Sequence, residues 1–179
     1  MALRWIVYTV GNRDISELQK NIPELEIVYD RLHDIMDTYT LVLKAVGDDP
    51  VVIMEDDIGL CEDFQRHVLD EITLHPKNVI NFYTGKRPYT QSGFSSGDFM
   101  ATCCHYFPPT YARELLRFFF LWNKRYAYIT GTDSCINAFL RYYRLKYYYV
   151  VPNLIQHLGL VSEVNPTRST KRQSNSFYE

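Results

Sequence analysis

Nowhere in the 179 residues is there a run of about 18 consecutive apolar residues, so no segment reads as a membrane-spanning helix. The opening MALRWIVYTVGNRD has an apolar run too short for a secretory leader, and an unexported, cytoplasmic protein is expected (host cytoplasm if viral). Cysteine is sparse. Cys61, Cys103, Cys104 and Cys135 show neither zinc-type spacing nor a dense disulfide framework, which favours reduced thiols. Neither sign of charge is in excess: 19 Lys and Arg face 21 Asp and Glu, for a net charge of −2. With a pI of about 6.2, broad non-specific binding to nucleic acid or to a membrane surface is not expected. No internal repeat and no clear domain boundary shows.

The chain does have enough apolar content, 46%, for a sizeable core, and this argues against disorder. Aromatic content is high at 15%, with 15 tyrosines. Most of these rings read as packing groups with a polar tip, though YYRLKYYYVV and NFYTGKRPY could offer faces for sugars or bases.

The first 75 residues alternate. Arg4–Val10, Leu25–Tyr29 and Val51–Met54 read as strands; Asp14–Asn21, Met36–Ala45 and Cys61–Leu74 read as helices. A βαβαβα order implies a parallel sheet covered by helices, with ligands at the carboxyl ends of the strands. Thr9, Val10, Asp30 and Glu55–Asp57 lie at those ends. In the second half, strands are expected at Asn78–Tyr83, Asp98–Tyr106 and Lys146–Val151. Helices are expected at Pro108–Trp122 and from Gly131 to Tyr143, and a polar loop over 84–97.

The stretch VVIMEDDIGL is the most informative. A buried strand avoids unpaired carboxylates, yet this one runs into Glu55, Asp56 and Asp57. If the strand continues, Glu55 and Asp57 share one face and Asp56 takes the other, which makes Asp56 the more structural of the three. Two carboxylates on one face repel unless a cation or an arginine sits between them. Mg²⁺ and Mn²⁺ prefer such oxygen ligands together with substrate phosphates. The plainer alternative is an acidic start to the next helix. His157, in PNLIQHLGLVS, can complete a mixed N,O site, although a lone histidine is more often structural. Asp133, in TGTDSC, reads first as a helix cap and second as a general base. Arg13, Arg168, Lys171 and Arg172 could neutralise phosphate.

Together these segments resemble GT-A glycosyltransferases, notably the lipopolysaccharide-type group. VVIMEDDIGLCEDF looks like that group's acidic signature, and FMATCCHYFPPTYARELLRFF its strand, turn and helix. TDSCINAFLRYY resembles the acidic helix start, and YYYVVPNLIQHLGLVS the closing Gln-His-x-Gly element. The four motifs stand in the same order over roughly residues 50–179. The resemblance implies one GT-A-like, Rossmann-like α/β domain spanning 1–179, with a mostly parallel sheet flanked by helices. Residues 1–75 would form the nucleotide half and 76–179 the smaller acceptor half with its closing tail. It implies Mn²⁺ or Mg²⁺ on Asp57, Glu55 and His157, and Asp133 as base or acceptor anchor. Thr9, Val10, Arg13, Asp30, Glu55 and Asp56 would line the donor pocket, and Arg168 and Lys171 would close over the diphosphate. The implied reaction moves a sugar from a nucleoside-diphosphate sugar, UDP by default, to a hydroxyl of a glycan or other acceptor, with inversion favoured. The acidic pI speaks against duplex DNA as acceptor. A nucleotidyltransferase or metal-dependent phosphohydrolase, and a non-catalytic sugar-binding module, are the alternatives.

Overall fold

The computed structural model describes residues 2–31, 34–85, 87–97, 99, 101–123, 131–158 and 176–178. Strands β1 (Arg4–Thr9), β2 (Glu26–Tyr29) and β3 (Val51–Glu55) lie side by side and parallel, in the order β2-β1-β3. Helix α1 (Ser16–Asn21) joins the first two, and α2 (Ile35–Val46) leads into the third. Beyond β3 come the short strand β4 (Ile58–Leu60), α3 (Phe64–Leu74), β5 (Val79–Asn81), β6 (Gly93–Ser95) and β7 (Cys104–Phe107). Helices α4 (Tyr111–Asn123) and α5 (Thr132–Tyr142) follow, then β8 (Tyr147–Tyr149) and β9 (Ile155–His157). The main sheet has the order β2-β1-β3-β7-β5-β8-β6. Strands β1, β2, β3, β5 and β8 run one way, and β6 and β7 the other. The sheet is therefore mostly parallel and flanked by helices, as expected from the sequence.

Both faces of this sheet are buried, which is why its central strands read as unbroken apolar runs. Along β1, Trp5 and Val7 join one core cluster while Ile6 and Tyr8 join the other. Along β3, Val52 and Met54 alternate with Val51 and Ile53 in the same way. One core holds Leu18 and Ile22 of the α1 region with Phe64 and Val68 of α3. The opposite core holds α2, α4 and α5 through Val42, Leu43, Leu115, Phe118, Ile136 and Phe139. Each such fully buried side chain stabilises the fold by roughly 1.5–3 kcal/mol.

Helix α2 illustrates the local coding. Asp34 caps it, its carboxylate accepting from the Met36 and Asp37 amides at 2.8 and 3.1 Å. Tyr39, Val42, Leu43 and Val46 form its buried stripe, and Leu41 stays exposed. The helix stops at Gly47, whose φ of 63° suits glycine.

Several expectations need correction. The strand expected over 98–106 is Cys104–Phe107, because Ala101 turns the chain with a φ of 60°. The polar loop 84–97 contains β6, an edge strand paired with β8. The helix expected from Cys61 starts at Phe64. Most consequentially, β3 ends at Glu55; the chain bends at Asp56 and Asp57 before β4. No helix among the described residues is long and apolar enough to cross a membrane.

His105 is fully buried in the α2 side of the sheet. Its Nδ1 lies 3.2 Å from the Thr102 carbonyl, which can only accept, so Nε2 accepts from the Tyr39 hydroxyl at 2.7 Å. Burial pushes this ring down to about 3 from an ordinary 6.5, against a smaller opposing pull from Thr102. On acidification the unfolded chain takes up a proton near pH 6.5 that the folded chain refuses until about pH 3. Stability from this group is therefore complete above that window and falls as pH drops through it. Denaturant midpoints measured across pH should show an acid limb of up to about 1.4 kcal/mol per pH unit from this ring. His105→Gln, which keeps an acceptor for Tyr39, should flatten that limb; an unaltered slope would refute the assignment.

Candidate metal and nucleotide site

The carboxyl end of β3 lies between the ends of β1 and the start of β7. Tyr8 pairs with Glu55 in the β1–β3 register, and the Tyr8 hydroxyl donates to Glu55 Oε1 at 3.0 Å. Thr102 Oγ1, presented by the Ala101 turn, donates to the same oxygen at 2.9 Å. Thr102 also meets Thr132 Oγ1 at 2.8 Å, so the first turn of α5 is hydrogen-bonded through to the acidic cluster. Burial first, and the Asp57 charge second, push the Glu55 carboxyl above its ordinary range; the Thr102 and Tyr8 hydroxyls and His157 oppose this.

The bend after Glu55 changes the role of Asp56. Its side chain is buried and turned to β1, where Thr9 Oγ1 donates to Oδ2 at 2.5 Å. The Arg13 guanidinium bonds Asp56 Oδ1 and sits 3.2 Å from Asp57 Oδ2. Asp56 is thus held on the Thr9 side of β1, while Glu55 faces Tyr8. Arg13 is the internal counter-ion of Asp56 and Asp57.

Asp57 is 6% exposed. Its Oδ2 lies 3.3 Å from His157 Nε2, and its Oδ1 has no hydrogen-bond partner among the described residues. His157 arrives because β4 and β9 form a separate two-stranded antiparallel sheet, with Ile58 opposite His157 and Gly59 opposite Gln156. The Leu158 amide donates to the Asp57 carbonyl at 2.8 Å and extends that ladder to the acid itself. Ile155 at 0% exposure and Leu154 at 3% anchor β9 in the core, which fixes where the imidazole points.

A buried carboxylate oxygen without a partner is costly in an apolar setting. Three carboxylates here face one guanidinium and one imidazole, leaving an acidic surplus suited to a divalent cation. The donor set passes the chemical test: carboxylates of Asp57 and Glu55 with the imidazole of His157 form the mixed N,O environment that suits Mn²⁺, and Mg²⁺ more weakly.

The remaining sequence-stretch assignments divide. Thr9, Arg13, Glu55, Asp56, Asp57 and His157 come together. Asp30 is buried beside them: its amide donates to the Thr9 carbonyl at 2.7 Å, and its Oδ1 accepts from the Asp34 amide at 3.2 Å. Val10 follows at the partly exposed end of β1. Asp133 lies half-buried in the first turn of α5, where its Oδ1 accepts from the Ser134 amide at 2.9 Å. Arg168 and Lys171 fall outside the described residues. The chain is described again at Ser176–Tyr178, where Asn153 bonds both the Ser176 carbonyl and the Tyr178 amide at 2.9 Å. Sequence reasoning missed Tyr8, Thr102, Cys103 and Thr132. Tyr8 was reachable from the register of β1 against β3; the others depend on a turn that carries no motif.

At the sequence level no protein-family model matches the chain, and neither does any curated protein. Solved structures do match in fold. The CTP:phosphocholine cytidylyltransferase LicC from Streptococcus pneumoniae aligns with a TM-score of 0.56 at 10% identity, covering 88% of this chain and 93% of its own. A197 from STIV aligns with a TM-score of 0.51 at 15% identity, covering 87% of this chain and 84% of its own. These likenesses show a Rossmann-like α/β fold for the chain.

Removing Arg13 would leave Asp56 and Asp57 buried beside each other. Arg13→Ala should lower the unfolding free energy by about 3–5 kcal/mol without metal. Asp56→Asn should recover part of that loss in the same background, by urea denaturation. A loss below about 1 kcal/mol, the size expected of an exposed pair, would show that Arg13 is not the counter-ion.

Proposed function

We propose that the chain is a metal-dependent glycosyltransferase that uses a nucleoside-diphosphate sugar. The observation that carries this reading is the approach of His157 to Asp57 Oδ2, while the buried Oδ1 of the same carboxylate has no hydrogen-bond partner among the described residues. A nucleotide would lie over the carboxyl ends of β1, β2 and β3, where Val10 and Asp30 border the acidic cluster. Asp57 and His157 would hold Mn²⁺ or Mg²⁺, with Glu55 contacting the ion through water or contacting the donor ribose. When bound, the ion supplies charge stabilisation to the departing diphosphate.

The chain's own groups have defined parts. Arg13 bridges Asp56 and Asp57 and fixes their side chains before any donor arrives. Thr9 holds Asp56 in place, and Tyr8 with Thr102 orient Glu55. In transfer, the bond from the sugar's anomeric carbon to the diphosphate oxygen breaks, and its electron pair leaves with the phosphate. A bond from the acceptor hydroxyl oxygen to that carbon forms, and the hydroxyl proton passes to the Asp133 carboxylate. Attack from the face opposite the leaving group inverts the configuration. The acceptor would be a hydroxyl of a glycan, approaching from the α5 side. Arg168 and Lys171 would neutralise the diphosphate.

The fold likeness to a cytidylyltransferase supports a second reading, nucleotidyl transfer from a nucleoside triphosphate. A two-metal reaction of that class calls for further clustered acids, whereas the companion of the acidic cluster here is a histidine.

Calorimetric titration with UDP, GDP and dTDP, each with and without Mn²⁺, and with CTP in parallel, separates the readings. Metal-dependent binding of one diphosphate is expected, together with its loss in Asp57→Ala. Asp133→Ala should bind normally and lose transfer, a drop of about 10²–10⁴-fold for a general base. No binding of any diphosphate with or without metal would sink the proposal. Transfer unchanged in Asp133→Ala would remove the base assignment alone.

A further inference from the structure

A thiol stands at the floor of this site, and the reading above gives it no part. Met54 pairs with Cys104 in the β3–β7 register, and the Glu55 amide donates to the Cys103 carbonyl at 2.9 Å, which carries the pairing one residue further. Cys103 therefore sits directly across from Glu55. It is 0% exposed. Ligand atoms of Glu55, Cys103 and His157 all lie within 4.8 Å of one another. Tetrahedral zinc with bonds of about 2.0–2.3 Å sets its donors about 3.3–3.8 Å apart, so donors at the 4.8 Å limit would close by about 1–1.5 Å on binding. Beside them is the buried, unpartnered Oδ1 of Asp57, whose other oxygen already faces His157.

The same imidazole thus serves two donor sets of different softness. Asp57 with His157 offers oxygen and nitrogen, the set for Mn²⁺ and Mg²⁺. Cys103 with His157 and Glu55 offers sulfur, nitrogen and oxygen, the set that a borderline-soft cation prefers. We propose that Glu55, Cys103 and His157 form a thiolate-containing site for such a cation, zinc by default, which competes with the Asp57 site for His157. Its consequence for catalysis rests on the hard-cation reading of Asp57; the site itself does not. Binding displaces the Cys103 proton to solvent and leaves the sulfur as a thiolate ligand, with no change of oxidation state. A zinc ion held there draws His157 away from Asp57, so zinc acts as an inhibitor of Mn²⁺-dependent nucleotide binding.

The test uses the full chain with Cd²⁺ as a spectroscopic stand-in for zinc and with Mn²⁺ followed by electron paramagnetic resonance. The parent protein should develop an ultraviolet sulfur-to-cadmium charge-transfer band that saturates at one ion per chain, and Zn²⁺ should release bound Mn²⁺. Cys103→Ser should abolish the band and weaken Zn²⁺ binding by at least about tenfold, while Mn²⁺ binding persists. Cys103→Ala serves equally if the hydroxyl is not tolerated in the core. Absence of the band in the parent overturns the proposal, as does its persistence in either variant, since it would then arise from Cys61, Cys104 or Cys135. A Cys103-dependent band without Mn²⁺–nucleotide binding supports the thiolate site and removes the glycosyltransferase reading. Mn²⁺–nucleotide binding without the band does the reverse.

Discussion

Three consecutive carboxylates at the end of a buried strand set the terms for everything around them. Left alone, Glu55, Asp56 and Asp57 would repel one another in a poorly solvated place. The fold answers by giving each a different partner from a different part of the chain. Glu55 has the hydroxyls of Tyr8 and Thr102, Asp56 has Thr9 and Arg13, and Asp57 has Arg13 and His157. Those partners come from β1, the turn after it, the turn before β7, and β9. The place of β1 beside β3, parallel to it, brings Tyr8, Thr9 and Arg13 to the carboxyl end of β3.

The least local of these contacts is also the most telling. His157 follows Asp57 by a hundred residues in sequence, and the connection passes through α3, α4, α5 and five strands before returning. A two-stranded sheet of three residues each is marginal on its own. It persists because Ile58, Leu154 and Ile155 belong to the same core as Val52, Met54, Phe64 and Val68. The core therefore sets the approach of the imidazole to the acid, and neither residue fixes it alone. The tyrosine-rich strand β8 plays a similar structural part, with Tyr147 against Phe99 at a ring separation of 5.0 Å and Tyr148 against His75 at 3.8 Å.

How much of this could be read from the sequence depends on range. The first five elements and α3 were legible because the strands are buried on both faces and the helices carry an apolar stripe. The acid cluster was legible because no packing argument explains it. What was hidden is geometry that only the assembled chain supplies. Strand alternation separates Asp56 from Glu55, but the bend after β3 that brings Asp56 and Asp57 onto one guanidinium carries no sequence signal. Arg13 reads as a phosphate ligand by residue type, but its position after β1 places it against Asp56. Strands β4, β6 and β9 are three residues each, too short for a period to emerge. Thr102 and Cys103 depend on a left-handed alanine, which sequence statistics disfavour.

The position of Arg13 bears on how such a site can work. The guanidinium is a permanent positive charge, so Arg13 can hold Asp56 and Asp57 side by side before a cation is met, for as long as those carboxylates are charged. It also sets an order of strengths. Asp56 is held from two sides, by Thr9 and by Arg13, whereas Asp57 is shared between Arg13 and His157 and keeps one oxygen without a partner among the described residues. A cation entering the cluster therefore meets least competition at Asp57. The division of labour among the three acids follows from this competition: Glu55 tied to the first turn of α5 through Thr102 and Thr132, Asp56 to the scaffold, and Asp57 the least constrained.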